Sequence, residues 1–155
     1  MTEHIESRFT ESVYYDLQKT AQYTKLMWKQ HFKKVCSELK GAEFGALNIL
    51  MLNPGICQRD LAKIILKDRA GTGRILDLLE AKGYITRKAD TKNNRLVRTM
   101  EITEAGIKVV EETSKKIFEV LGIAADNIPQ EEIDNIRASL KKLRDIMSKI
   151  VEIQI

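Results

Sequence analysis

The chain has 155 residues, 43% of them hydrophobic and 31% charged, with a formal net charge of +4 and only two prolines. That is enough apolar material for one compact domain or two small packed ones, and it excludes a disordered or fibrous chain. No stretch approaches the roughly 18 uncharged apolar residues of a membrane span, and the acidic, polar start "MTEHIESRFTES" is unlike a signal peptide, so a cytoplasmic protein is expected.

Through the first forty residues, which lack proline and glycine, apolar or small residues recur at Val13, Leu17, Ala21, Thr24, Trp28, Val35 and Leu39. This spacing predicts one long helix, ended by Gly41. A second, short helix is expected over "EFGALNILML" (43–52), stopped by "NPG". Then comes "CQRDLAKIIL", a helix with Leu61, Ala62, Ile64 and Ile65 inward. After "DRAGTGR" (68–74) follows "ILDLLEAKG", a helix with Ile75, Leu76, Leu78 and Leu79 inward and Gly83 as its C-terminal cap. The segments "YITRKA" and "LVRTMEI" are rich in β-branched residues and roughly alternate, and the polar "DTKNN" between them predicts a hairpin with a charged tip.

From Thr103 the helical period returns, with Ile107, Val110, Ser114, Ile117 and Leu121 on one stripe. Pro129 opens a last helix at a first-turn position, with Glu131 and Glu132 near the positive end of its dipole. Its apolar residues Ile133, Ile136, Leu140, Leu143, Met147 and Ile150 keep a seven-residue repeat. Such a stripe fits a seam with another helix or an internal core face equally well.

The charge is unevenly placed. Between residues 57 and 100 eleven Lys or Arg stand against five acids, a net of +6, which leaves −2 for the rest. A basic middle on a near-neutral scaffold is the footprint of a polyanion-binding module. Enzyme chemistry finds no support. "GTG" in the basic segment lacks the Lys-Ser/Thr of a phosphate loop and follows no strand, as a dinucleotide fingerprint would. His4 and His31 stand in no motif, and Cys36 and Cys57 are far apart with no metal-ligand spacing. No catalytic residue, metal or cofactor is expected, and both cysteines are expected as free thiols.

Helix, turn, helix, then a two-stranded hairpin, all within the basic segment, is the order of a winged helix-turn-helix. The fold class expected is mainly α with a small β-hairpin wing. The second helix of the pair fits a major groove, and a basic hairpin tip reaches the neighbouring minor groove or backbone. Candidate DNA contacts are Arg69, Thr72 and Arg74 in the first turns of the recognition helix, Lys92, Arg95 and Arg98 on the wing, and Gln58 and Arg59 at the preceding helix start. Cys57 occupies what reads as a helix N-cap, a position that favours thiol reactivity.

The stretches "QRDLAKIILKDRAGTGRILDLLEAKGYITRK" and "NNRLVRTMEITEAG" resemble the MarR (multiple antibiotic resistance) transcriptional regulators. The first is similar to their helix, recognition helix and strand, the second to their wing and its exit. The pattern departs at Asn94, where an aspartate is usual, at Leu96, where the second of two arginines is usual, and at the two glycines of the recognition helix, where Ser, Thr or Val is usual. The resemblance implies a homodimer whose first and last helices interlock, with 1–42 and 104–155 as the helical dimerisation region and 43–103 as the DNA-binding domain. It implies binding of a pseudo-palindromic operator in double-stranded DNA and, usually, repression. It also implies release by a small aromatic or lipophilic effector, for which Tyr14, Tyr15, Tyr23, Trp28, His31 and Phe32 are candidate lining residues, or by thiol oxidation. A winged helix used as a protein-interaction module is the alternative from a different class.

Overall fold

The computed structural model describes residues 9–152. The chain divides into two compact units, one up to Gly41 and one from Ala42 onward.

The first unit carries α1 (Val13–Val35), opened by Ser12, whose hydroxyl accepts from the Tyr15 N–H at 3.3 Å. Contrary to the expectation of a helix reaching Gly41, α1 stops at Cys36, which takes an extended conformation (φ −140°) while its N–H still closes the last turn onto the Phe32 carbonyl. No glycine is needed for that stop. Gly41 answers a different demand, because a Cβ there would collide with the indole of Trp28, itself stacked on buried Phe32 at 4.7 Å between ring centroids. His31 is exposed, and His4 lies outside the described residues.

α2 (Gly41–Leu52) is apolar on nearly every side and buries Phe44, Ala46, Leu47 and Leu50, as a helix inside a core must. Its one buried acid, Glu43, receives the Lys82 ammonium at 2.6 Å. Losing Lys82 would leave the Glu43 carboxylate away from water without this counter-charge. α3 (Gln58–Ile64) is under two turns long, ended where Leu66 enters the left-handed region (φ 53°). So short a helix presents only Leu61 and Ala62 to the core. Ile64 is 48% exposed and Ile65 only half-buried, where all four were expected inward.

α4 (Arg69–Ala81) begins within "DRAGTGR", with Asp68 as its N-cap accepting from the Gly71 N–H at 2.6 Å. Its buried stripe is Thr72, Ile75, Leu76 and Leu79, spaced 3, 1 and 3. Leu78 falls off that stripe and is 43% exposed, against expectation. Gly83 (φ 75°) turns the chain out of the helix in a conformation that side chains rarely adopt.

The hairpin pairs β1 (Ile85–Lys92) with β2 (Arg95–Ile102), antiparallel from Ile85↔Ile102 to Lys92↔Arg95. Most of the expected polar turn "DTKNN" is therefore strand. Only Asn93 (φ 51°) and Asn94 (φ 58°) form the loop. Two adjacent left-handed residues make the two-residue turn that matches strand twist, and asparagine tolerates that region. At its other end the wing is tied to the start of α3, since the Met100 N–H donates to the Ile56 carbonyl at 3.1 Å and Cys57 bridges Thr99.

α5 (Glu104–Ala125) is capped by the Thr103 hydroxyl, which accepts from the Gly106 N–H at 3.1 Å and donates to the Gly83 carbonyl at 2.7 Å. Val109, Val110, Thr113 and Ile117 are buried along it. In α6 (Gln130–Met147) Pro129 is the N-cap and not a first-turn residue, a shift of one position. None of its residues is buried: Ile133, Leu140 and Leu143 are half-covered, and Ile136 and Met147 are exposed.

Candidate nucleic-acid interface

Three short devices place the cationic side chains. The turn after Ile64 lets α4 start close to α3, and Gln58 joins the two starts, its Nε2 donating to the Arg69 carbonyl across a long 3.5 Å. The Asp68 cap fixes the direction of α4's first turn. The Asn93–Asn94 turn sets Lys92 and Arg95 opposite one another at the hairpin tip.

The result is an open groove of about 800 Å³ walled by Arg59 and Asp60 of α3, Arg69 of α4, and Lys92, Asn93, Arg95, Leu96 and Val97 of the wing. A smaller depression of about 190 Å³ adds Gln58 and Arg98, and shares Cys57, Arg59, Arg69 and Val97 with it. Six of the eight residues expected at DNA are thus brought together. In the larger groove four cations face a single carboxylate. Concave walls of one sign focus the field. Its place, between a helix start and a hairpin tip, suits a row of phosphates, because a helix in one groove of a duplex and a hairpin in the next straddle the backbone between them.

The other two residues differ. Arg74 is exposed on the outer side of α4, its Nε donating to the Ala70 carbonyl at 3.4 Å, and it does not line the groove. Thr72 corrects the sequence reading. It is fully buried on the stripe with Ile75, Leu76 and Leu79, and its hydroxyl donates to the Asp68 carbonyl at 2.8 Å, so it faces the core and reaches no base edge. A threonine hides there because its own helix satisfies the hydroxyl.

Cys57 is the N-cap residue of α3, as expected, but its side chain makes no cap bond. The thiol instead donates to Asp60 Oδ2 at 3.1 Å and is 7% exposed. The aromatic residues of α1 do not share one environment, Tyr14 and Tyr23 being exposed and Phe32 buried. Among the described residues no three His, Cys, Asp or Glu side chains gather as a metal site.

The glycines of "DRAGTGR" are not structurally equivalent. A Cβ on Gly71 would meet Asp68 Oδ1 at 2.9 Å and disturb the cap, whereas one on Gly73 meets only Gln58 Nε2, at 3.4 Å. Gly73→Ala should therefore raise stability by about 1 kcal/mol, the ordinary helix-interior difference, and Gly71→Ala by clearly less. Urea unfolding of the two variants checks the order; equal gains would show that the Asp68 cap moves aside without cost.

One cluster is invisible to charge bias and periodicity. Arg87 of β1 crosses to α4, where its guanidinium meets Asp77 and, at 2.9 Å, Glu80, with Nε also donating to Glu80 at 3.0 Å. Burial works against its charged form, but the hydrogen bond to Asp77 and the charges of Glu80 and Asp77 outweigh it, so its pKa is raised above the usual arginine value. The partners are ten and seven residues away on a different element, a separation that no periodicity reveals.

The sequence profile of the MarR family matches residues 37–96, the span from before α2 to the start of β2. Over that span the winged helix resembles the MarR family. Similarity extends to an uncharacterized HTH-type transcriptional regulator, YybA of Bacillus subtilis (strain 168), 32% identical over 92 residues. That match covers 59% of this chain and 61% of the relative, so the chain spans about three fifths of its length. Among solved structures, the S. aureus MepR–DNA complex is similar with a TM-score of 0.67 at 22% identity, covering 88% of this chain and 96% of that one. The PcaV transcriptional regulator from Streptomyces coelicolor, in complex with its natural ligand, gives 0.68 at 18% identity, covering 88% and 94%. At such identities these two likenesses speak for the fold alone, which among the described residues is six helices and an antiparallel hairpin, as expected from the order of elements. No described helix is long and apolar enough to cross a membrane.

Proposed function

We propose that this chain is a sequence-specific DNA-binding transcriptional regulator of the MarR type, acting as a homodimeric repressor on a pseudo-palindromic operator. The observation that carries the reading is the groove in which Arg59, Arg69, Lys92 and Arg95 converge between the start of α4 and the hairpin tip. Arg69, at the first position of α4, is placed to reach base edges or phosphates in a major groove, and Arg74 follows five residues on. Lys92, Arg95 and Arg98 serve the wing, and Gln58 and Arg59 hold the backbone between.

Dimerisation falls to the helical regions 1–42 and 104–155, in keeping with the uncovered apolar stripe of α6. Release by a small aromatic or lipophilic effector completes the reading; PcaV, similar in fold, is bound to its natural ligand. Thiol oxidation is the less favoured control, since the Cys57 side chain is buried and already spent on Asp60.

Selection from random duplexes tests the whole reading. A two-fold symmetric site should be enriched, with half-site centres about one helical turn, some 10 base pairs, apart. Recovery of no enriched site would instead favour a winged helix that docks on protein.

A further inference from the structure

The acids Asp77 and Glu80 stand on the outward side of α4, the helix that the proposed function puts in a major groove. On charge alone they oppose that role. Both, however, are held by Arg87, whose side chain is 11% exposed while theirs are 68% and 45%. Isolated surface pairs contribute little, but here one planar, pre-organised guanidinium bridges two carboxylates from a largely covered position. The rest of α4 is fixed on its opposite side by Ile75, Leu76 and Leu79 and at its end by the Lys82–Glu43 pair. Arg87 adds the link from α4 to the root of the wing.

We infer that Arg87 is a positioning residue for DNA reading: through Asp77 and Glu80 it fixes α4 against β1, so that the first turn of α4 and the hairpin tip keep the spacing that two adjacent grooves require. The inference rests on the DNA-binding reading and adds to it a residue that touches no DNA. It also accounts for two acids on a helix that must approach a polyanion, because they are the anchor points of the clamp.

The decisive variant is Asp77→Asn with Glu80→Gln. Removing two negative charges should strengthen binding to DNA if only charge mattered, whereas loss of the clamp weakens it. Binding to the selected operator is measured by fluorescence anisotropy over a range of salt, with thermal unfolding followed in parallel. Asp77→Asn/Glu80→Gln and Arg87→Ala should each lower affinity by about tenfold, and the three changes together should lower it no further, the mark of one shared interaction. The slope of log affinity against log salt should stay native in all of them, since no phosphate contact is lost. Arg87→Lys, with one compact charge in place of the fork, should fall between. If Arg87→Ala unfolds, the Asp77→Asn/Glu80→Gln protein, which alters only exposed partners, decides alone. Affinity equal to or tighter than native in that protein overturns the clamp, as does a slope reduced by about one in Arg87→Ala, which would put the guanidinium on a phosphate. Native protein that binds no duplex selectively, or Arg95→Ala that leaves affinity and slope untouched, would sink the DNA-binding reading instead.

Discussion

Replacing both Arg59 and Arg95 by alanine should weaken operator binding on the order of a hundredfold near physiological salt, as loss of two charge-assisted contacts at roughly 1.5 kcal/mol each requires. The two guanidiniums lie on opposite walls of the same groove, one at the start of α3 and one beside the hairpin turn. Neither is spent on an ion pair in the protein among the described residues, so neither substitution leaves a stranded partner and the fold should be unaffected. If each neutralises one phosphate, the slope of log affinity against log salt falls by about 0.9 per arginine, hence about 1.8 for the pair. Lys108→Ala, which removes an exposed charge facing Glu112 on α5, should change neither quantity. Affinity titrations at four or five salt concentrations give both numbers at once. A large loss of affinity with an unchanged slope would mean that the arginines act on base edges or on folding, and that the groove is not the phosphate path.

Much of this groove is legible in the sequence because local chemistry specifies it. The run of turn residues, the basic bias of 57–100 and the alternation after Gly83 each mark an element without reference to any other. What escaped was set by geometry across elements. Its place in the first turns of α4 points Thr72 to DNA, but on the stripe of Ile75, Leu76 and Leu79 it belongs to the core, and a hydroxyl bonded to the Asp68 carbonyl makes that burial cheap. The polarity of Asp90, Thr91 and Lys92 suggests a longer turn, whereas two asparagines in the left-handed region close the hairpin alone and carry those residues into β1. Leu96, 81% exposed, and Arg74, off the groove, show that a family pattern marks which positions are outward but not which of them meet. The Arg87 clamp joins a strand to a helix, and no periodicity along the chain pairs its members.

The second large effect concerns α6. A double substitution on α6, Ile136→Asp with Leu143→Asp, should convert the protein to monomers at micromolar concentration. The two positions are one heptad apart on a stripe with Ile133, Leu140, Met147 and Ile150, and the described structure of a single chain buries none of them. Three of these six are exposed and three half-covered, so together they forgo a large part of the roughly 1.5–3 kcal/mol that full burial of each supplies, which is the physical case for a second helix covering them. Two aspartates per chain would place four unpaired carboxylates in that seam. Because the stripe is not part of the single chain's buried core, helical content by circular dichroism should stay near native while sedimentation shows half the mass. Operator affinity should fall by roughly 10² to 10⁴, since the second half-site is no longer bound at the high effective concentration that a joined partner supplies. A variant that stays dimeric would put the two-fold seam elsewhere, with the exposed Val13, Tyr14, Tyr23 and Leu26 of α1 as the next residues to change. A monomer that keeps full operator affinity would break the link between the symmetry of the protein and that of its site.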